Sequence, residues 1–321
     1  LDDLLPALNE FNAANVSLAT DDLLVTDIRD RGHMDHKLRH AMASGVPAVR
    51  AVQMASINTA RYFGLRGRGP VATGYRADLV VLDDLERVQV AEVFLGGRRL
   101  RHLRLPRGAG AKLPGTMRLP ELGPDMFQLP QGRGKVRVIG VIPGQILTEK
   151  RLLEPTLAQG RPVADANRDL AKLAVIERHR GTGNEGLGLV QGLGLTAGAL
   201  ASSVGHDSHN LIVAGQDDAD MILAAREAAR LGGGFVAALH GRVRASLPLP
   251  LAGLMSDAPL EKTAARLEAL LASLCPAMGA FQGNPFALLS FLALPVLPAL
   301  TLTDQGLVDV GAFALVSLWD S

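Results

Sequence analysis

Cysteine is almost missing from this chain: Cys275 is the single one in 321 residues. One thiol cannot close an internal disulfide, so nothing here calls for an oxidising compartment, and a cytoplasmic location is expected. Aromatic residues are scarce at 4%, which argues against the stacking platforms that hold single-stranded nucleic acid. An excess of charge of either sign is also lacking: 33 Lys+Arg meet 32 Asp+Glu, a net +1 with histidines neutral. Such a balance leaves no electrostatic footprint for nucleic acid or anionic lipid, so neither is expected as a partner. Long apolar runs are absent as well. The most apolar stretch, 286–302, only reaches the lower limit for a bilayer span and carries Pro295 and Pro298, so it reads as buried strand and turn. The opening LDDLLPALNEF has no basic n-region and no apolar h-region, so no signal peptide is expected. No fixed-period repeat is present.

The chain does have 48% hydrophobic residues, too many at too low a net charge for general disorder. Its length suits two or three small domains of an α/β or α+β protein. Residues 15–20 are β-tolerant and stop at the pair Asp21-Asp22, while 36–43 and 47–63 carry apolar residues at helical spacing. From 65 to about 105 the pattern becomes short strands: a buried one over 77–83, another over 88–94, and a hairpin closed by Gly96-Gly97. Residues 101–134 mix Arg, Gly and Pro without periodicity and read as a linker whose basic cluster, Arg98, Arg99, Arg101, Arg104, Arg107 and Lys112, reads as a solvated face, with binding of an acidic partner or phosphate as the alternative. Beyond 135, strands are expected over 136–142 and 211–214, and a strand or short helix over 171–179. Residues 186–195 look glycine-rich and irregular, 235–239 and 243–247 form a hairpin, and helices cover 219–231 and 260–274.

Three clusters carry candidate chemistry. Asp21 and Asp22 end a strand, where a carboxylate oxygen suits a divalent metal or proton transfer; a helix cap or loop acid is the alternative. In Gly32-His33-Met34-Asp35-His36 the two imidazoles share a helical face and suit a metal, yet the same residues make an ordinary polar helix start. The densest cluster is 202–210, Ser-Ser-Val-Gly-His-Asp-Ser-His-Asn. There His206 and His209 can orient or protonate a substrate near neutral pH, with Asp207 fixing a tautomer. Burying so many polar groups is costly unless every hydrogen bond is met, so the cluster is either a site or a polar loop. Residues 181–188, Gly-Thr-Gly-Asn-Glu-Gly-Leu-Gly, lack the Lys and Ser/Thr of a phosphate-cradling loop.

Taken together, Thr20-Asp21-Asp22, the 32–36 motif and Ala55-Ser56-Ile57-Asn58-Thr59-Ala60-Arg61 resemble the last barrel strand and final helices of the amidohydrolase superfamily, and 69–82 is similar to the small β-sandwich segment that follows. Residues 203–210, Leu249-Pro250-Leu251-Ala252-Gly253-Leu254-Met255-Ser256, and the stretch from Asn284-Pro285-Phe286 to Pro298 resemble the C-terminal domain of the adenine deaminase family. The resemblance implies the end of a TIM-type metal-dependent hydrolase barrel over 1–65, a small composite β-sandwich over 66–108, a linker over 109–134 and an α+β domain over 135–321. It also implies hydrolysis of adenine to hypoxanthine and ammonia in purine salvage, at a binuclear manganese or iron site. Asp21 would be the metal ligand and proton shuttle, with Asp22 as its substitute, and His206, His209 and Asp207 would serve the substrate. Only twenty residues precede Asp21 and none is histidine, so the family's other ligands have no counterpart, and the chain alone is expected to be inactive. Other nucleobase deaminases, cyclic-amide hydrolases, a non-catalytic module that completes a barrel in trans, and a homo-oligomeric assembly stay open.

Overall fold

The computed structural model describes residues 4–103 and 115–320, so Arg104, Arg107 and Lys112 of the basic cluster lie outside the described residues. The chain forms two compact units, Leu1–Ala111 and Lys112–Ser321, each considered by itself.

The first unit opens with single 3-10 turns at Leu5–Ala7 and Ala13–Asn15, followed by α1 (Val25–Asp30), α2 (Met34–Ala43), α3 (Ala48–Met54) and α4 (Ile57–Tyr62). The apolar spacing that predicts these helices buries Ala41, Val46, Ala51 and Met54 against Leu18. The expected strand over 15–20 does not form. Residues 16–20 hold no ladder, and the segment is instead pinned by Leu18 N–H on the Met54 carbonyl (3.0 Å) and by the Asn58 amide on the carbonyls of Ala13 and Val16 (2.8 Å each). A strand needs a neighbour to accept its backbone groups, and the strands described in this unit pair only among themselves. They are β1 (Leu79–Asp84), β2 (Gln89–Leu95) and β3 (Arg98–Arg99), an antiparallel meander turned at Gly96-Gly97 as the sequence suggests. The expectation that β1 is buried fails: Val80 and Val81 are 59% and 45% exposed, because a three-stranded sheet has no second layer of its own to cover both faces. Of the basic cluster, Arg99 and Arg101 pair with Glu92 at 3.6 and 3.0 Å.

The second unit is built on a nine-stranded sheet. Its strands are β4 (Lys135–Val141), β5 (Thr148–Leu153), β8 (Leu170–Ile176), β9 (Glu185–Gln191), β10 (Ala199–Ser202), β11 (Leu211–Gly215), β12 (Gly234–Leu239), β13 (Arg242–Pro248) and β17 (Trp319–Asp320). The small pair β6 (Leu157–Ala158) and β7 (Arg161–Pro162) and the three-stranded sheet β14 (Leu300–Thr303), β15 (Gly306–Asp309) and β16 (Ala314–Val316) complete the strands. The order is β13-β12-β10-β11-β8-β9-β4-β17 with β5 beside β4, and every pairing is antiparallel except β4 with β9. Every residue of β8 and β11 is buried, as central strands covered on both faces are, and the one charged residue, Lys172, is paired with Asp218 (2.6 Å).

Helices cover both faces. In α5 (Asp218–Arg230), the Asp217 side chain caps the N-terminus by accepting from the Asp220 N–H. Its small residues Ala224, Ala225 and Ala228 pack with Ala201, Val213 and Val236 of the sheet. Phe235, the residue before Val236, stacks on Phe286 of α7 (Pro285–Leu292) at 4.7 Å. Adjacent strand residues point to opposite faces, so α5 and α7 sandwich the sheet. α6 (Leu260–Leu274) falls where its spacing predicts and contacts β13.

Three expectations change here. Of residues 186–195, only 192–195 are irregular: β9 runs through Gly186 and Gly188 to Gln191, because a Cβ on Gly186 would overlap the Thr303 carbonyl oxygen of β14, so glycine lets the second sheet lie directly on the first. Residues 286–302 are a helix before they are a strand; Asn284 accepts from the Phe286 N–H with Pro285 in the first turn, a strong helix start. Residues 115–134 lack regular structure, as a linker does, yet Leu122 and Phe127 are buried in the α5 cluster. Proline and glycine break the periodicity there without removing the side chains from the core.

Candidate functional site

The three motifs of the second unit, 203–210, 249–256 and 284–298, meet at one end of the large sheet. Leu211 pairs with Ile176, and Ser202 pairs with Phe235. The β10–β11 turn therefore lies beside the end of β8 and the start of β12. The residue that draws the pieces together is Arg178, which the sequence reading passed over. It leaves β8 two residues past the end of the strand and is fully buried, at 0% exposure. Its Nε donates to the His209 carbonyl (2.5 Å), Nη1 to the Thr116 carbonyl and hydroxyl (3.1 and 2.8 Å), and Nη2 to the carbonyls of Ser203 (3.3 Å) and Ala252 (3.1 Å). Burial lowers Arg178 to about 10, with the neighbouring Glu177 charge opposing, so it stays cationic at neutral pH.

The surrounding chain is shaped to that guanidinium. Gly253 sits at φ +75, and a Cβ there would stand 2.8 Å from Arg178 Nη1, so the 249–256 motif needs glycine at this point. The Ser203 hydroxyl donates to the Gly253 carbonyl (2.6 Å) and accepts from the Gly234 N–H (2.7 Å). Glu177, 8% exposed, turns the other way and accepts from the N–H groups of His179, Arg180 and Thr182 and from the Thr182 hydroxyl. Burial alone would raise its carboxyl; these four hydrogen bonds outweigh it and bring Glu177 to about 2. The signal for both residues was present as a charged run, Glu177-Arg178-His179-Arg180, directly after the apolar stretch Leu173-Ala174-Val175-Ile176.

His206 and His209 are brought together by the loop, with ring centroids 6.5 Å apart, and both are half-buried. His206 lies 5.1 Å from the Phe291 ring, and its N–H donates to the Ser290 hydroxyl (3.1 Å), so α7 holds it from the other side. The His209 N–H donates to the Gly205 carbonyl (2.6 Å), and the Gly205 N–H points to His209 Nδ1 (3.4 Å). A ring nitrogen that accepts carries no proton, so the ring is neutral. Burial lowers the His209 pKa first, then the charges of Arg178, His206 and His179; Asp207 opposes them. Asp207 itself is exposed. At His209 Nδ1 it is the Gly205 N–H, not Asp207, that stands in hydrogen-bond range. His179 Nε2 meets the Ser208 carbonyl at 2.8 Å, and Asn210 is buried at the foot of the loop with Oδ1 unpartnered.

Asp21 belongs to the first unit. It is exposed, at φ +52, in the turn that follows 16–20, and Asp22 beside it is exposed too. In the 32–36 motif, Asp35 folds back to accept from the His33 N–H (2.7 Å) and pairs with Arg39 (2.8 Å), so the polar helix start is what forms. Among the described residues, no three of His, Cys, Asp or Glu gather as a metal site.

Comparison with known proteins agrees with the division into units. The amidohydrolase family model matches residues 1–100, and the model described as adenine deaminase C-terminal domain matches residues 145–314. An adenine deaminase of Oleidesulfovibrio alaskensis is 55% identical over 319 residues, covering 99% of this chain and 56% of that protein. Adenine deaminases of Methanothrix thermoacetophila (45% over 324 residues, 99% and 56%) and Desulfatibacillum aliphaticivorans (44% over 329 residues, 100% and 57%) are similar along the same span. This chain thus spans little more than half the length of these curated relatives. With more than half of its own residues inside the matched C-terminal region, the chain belongs to the adenine deaminase C-terminal domain family.

Proposed function

We propose that this chain supplies part of an adenine deaminase, which adds water to the ring carbon bearing the amine and expels ammonia, leaving hypoxanthine. The observation that carries this reading is the 55% identity to a protein named adenine deaminase, running through both units. The amidohydrolase match suggests a divalent metal, and manganese or iron in a pair is our choice. The donors described here do not make up such a site: Asp21 is one exposed carboxylate, and a bound cation needs several ligands gathered around it.

Asp21 takes a proton from the attacking water and returns it to the ring or the departing amine, a task suited to a carboxylate. His206 and His209 hydrogen-bond the purine. We place the first unit at the end of a hydrolase barrel and the protein in the cytoplasm, serving purine salvage with adenine as its small-molecule partner. Neither nucleic acid nor a membrane is a partner in this reading, and a homo-oligomer is compatible with it. Among the described residues, no helix is long and apolar enough to cross a membrane.

A second reading is a module that completes a barrel in trans. One experiment addresses both. A hybrid in which this chain replaces the 319 matched residues of the Oleidesulfovibrio alaskensis protein is expected to release ammonia from adenine. Asp21→Asn in that hybrid should lower kcat by about 10²-fold or more. The chain by itself should be inert. A folded hybrid that ignores adenine but deaminates another base, or hydrolyses a cyclic amide, overturns the substrate. A separate N-terminal portion that restores turnover on mixing supports the trans module.

A further inference from the structure

We propose that Arg178 is a positioning residue: its buried guanidinium fixes the 203–210 loop so that His206 and His209 are presented to the purine. The inference rests on the proposed adenine chemistry but concerns a residue that the family likeness did not single out.

The burial of Arg178 is unusual for its charge. A guanidinium is costly to remove from water, and an ion pair is the usual way of offsetting it. Arg178 instead donates to four carbonyls and one hydroxyl. A methionine of similar length would fill the same space in the core at lower cost. What methionine cannot do is hold Thr116, Ser203, His209 and Ala252 at fixed angles from one rigid fork. Two of those four acceptors, Ser203 and His209, belong to the loop that carries the imidazoles, and a third, Ala252, lies in the strand-to-helix turn packed behind it. A cost that packing does not reward is expected where a site must be held in place.

The same group sets the state of the ring it holds. The charges facing His209 are Arg178 from the end of β8, His206 and Asp207 from its own loop, and His179 from the neighbouring turn. Three of the four disfavour a proton on His209, and the Gly205 N–H at Nδ1 fits a neutral ring. With Nδ1 met by the Gly205 N–H, the neutral ring carries its proton on Nε2, and Arg178 thus keeps His209 a single donor to an acceptor such as a purine ring nitrogen. Removing its charge takes away one of the groups that oppose protonation, so the His209 midpoint must rise.

The test has two arms. In the chain itself, without turnover, NMR of the eight histidine rings is followed against pH in wild type, Arg178→Met and Arg178→Lys. The His206 and His209 resonances should move in both variants while His33, His36 and His40 stay in place, and the His209 midpoint should rise in Arg178→Met. In the hybrid enzyme, Arg178→Met should lower kcat at least about tenfold with KM changed far less, and should shift the acid limb of the pH profile upward; Arg178→Lys should recover only part. A folded Arg178→Met with unchanged kcat and unchanged imidazole resonances overturns the proposal. So does Arg178→Lys with full kcat and an unshifted profile, since the fork would then be dispensable. If neither variant folds, Arg178 holds the domain rather than the site, and the proposal falls as well. A hybrid inert even with Arg178 sinks the adenine reading, while the NMR arm still decides whether Arg178 governs the two rings.

Discussion

Replacing Glu177 by glutamine isolates the contribution of one buried carboxylate to the fold of the second unit. Its two oxygens accept from the His179 and Arg180 N–H groups on one side and from the Thr182 N–H and hydroxyl on the other. Glutamine keeps the shape but turns one oxygen into a donor, so one of these pairs loses its acceptor and both lose the charge. Burial raises this carboxyl and the hydrogen bonds lower it, for a net fall from 4.5 to about 2. By linkage that lowering corresponds to at most ~3 kcal/mol of stability at neutral pH. Hydrogen bonds to a charged group, at roughly 1.5–3 kcal/mol each, give the same order, so Glu177→Gln should cost about 2–3 kcal/mol. The sign with pH follows from a depressed folded pKa: the stabilisation is complete above 4.5 and disappears as pH falls toward 2. The gap between wild type and variant should therefore close in acid. Trp319 is the single tryptophan; it is buried in the second unit, with its Nε1–H on the Pro130 carbonyl (3.0 Å). Its fluorescence reports that unit alone during urea or thermal unfolding. A melting temperature lower by roughly 4–12 °C is expected at pH 7. A loss below about 0.5 kcal/mol, or a gap that stays constant from about pH 5 to pH 3, would refute the reasoning.

Two further perturbations test the packing around the site. Gly186→Ala places a methyl group on the Thr303 carbonyl, so it should separate the β14–β15–β16 sheet from β9, cost about 2–3 kcal/mol and speed amide exchange in β14 and β15; unchanged exchange there would contradict the contact. Phe286→Ala removes a fully buried ring stacked on Phe235 and should cost about 3–5 kcal/mol by urea unfolding. Because α7 also carries Ser290 and Phe291 against His206, the His206 ring resonance should shift in the same variant, and a fixed resonance would show that α7 does not hold the loop.

Much of this molecule can be read from residue order alone. Helical spacing marks α5 and α6, a continuous apolar run marks β11, and Gly96-Gly97 marks a hairpin, whereas 171–179 reads equally as strand or short helix. Each reports physics confined to a few neighbouring residues, namely which faces are apolar and where the backbone can turn. The loop with His206 and His209 also stands out in one dimension, because titratable residues crowd into it. What order could not supply is the partner of each piece. The stretch 15–20 has the composition of a strand but no neighbour to pair with in its unit, so it stays unpaired. β9 looks broken by glycines until the sheet lying on Gly186 is seen, and the 115–134 segment hides buried side chains within an aperiodic run. Arg178 makes the point most sharply. As a letter it is one arginine in a charged run, and only tertiary structure turns it inward and assembles three distant segments around it. Hydrogen bonding and burial act through space, so the residue that organises the site is fixed by contacts across sequence gaps that no local pattern records.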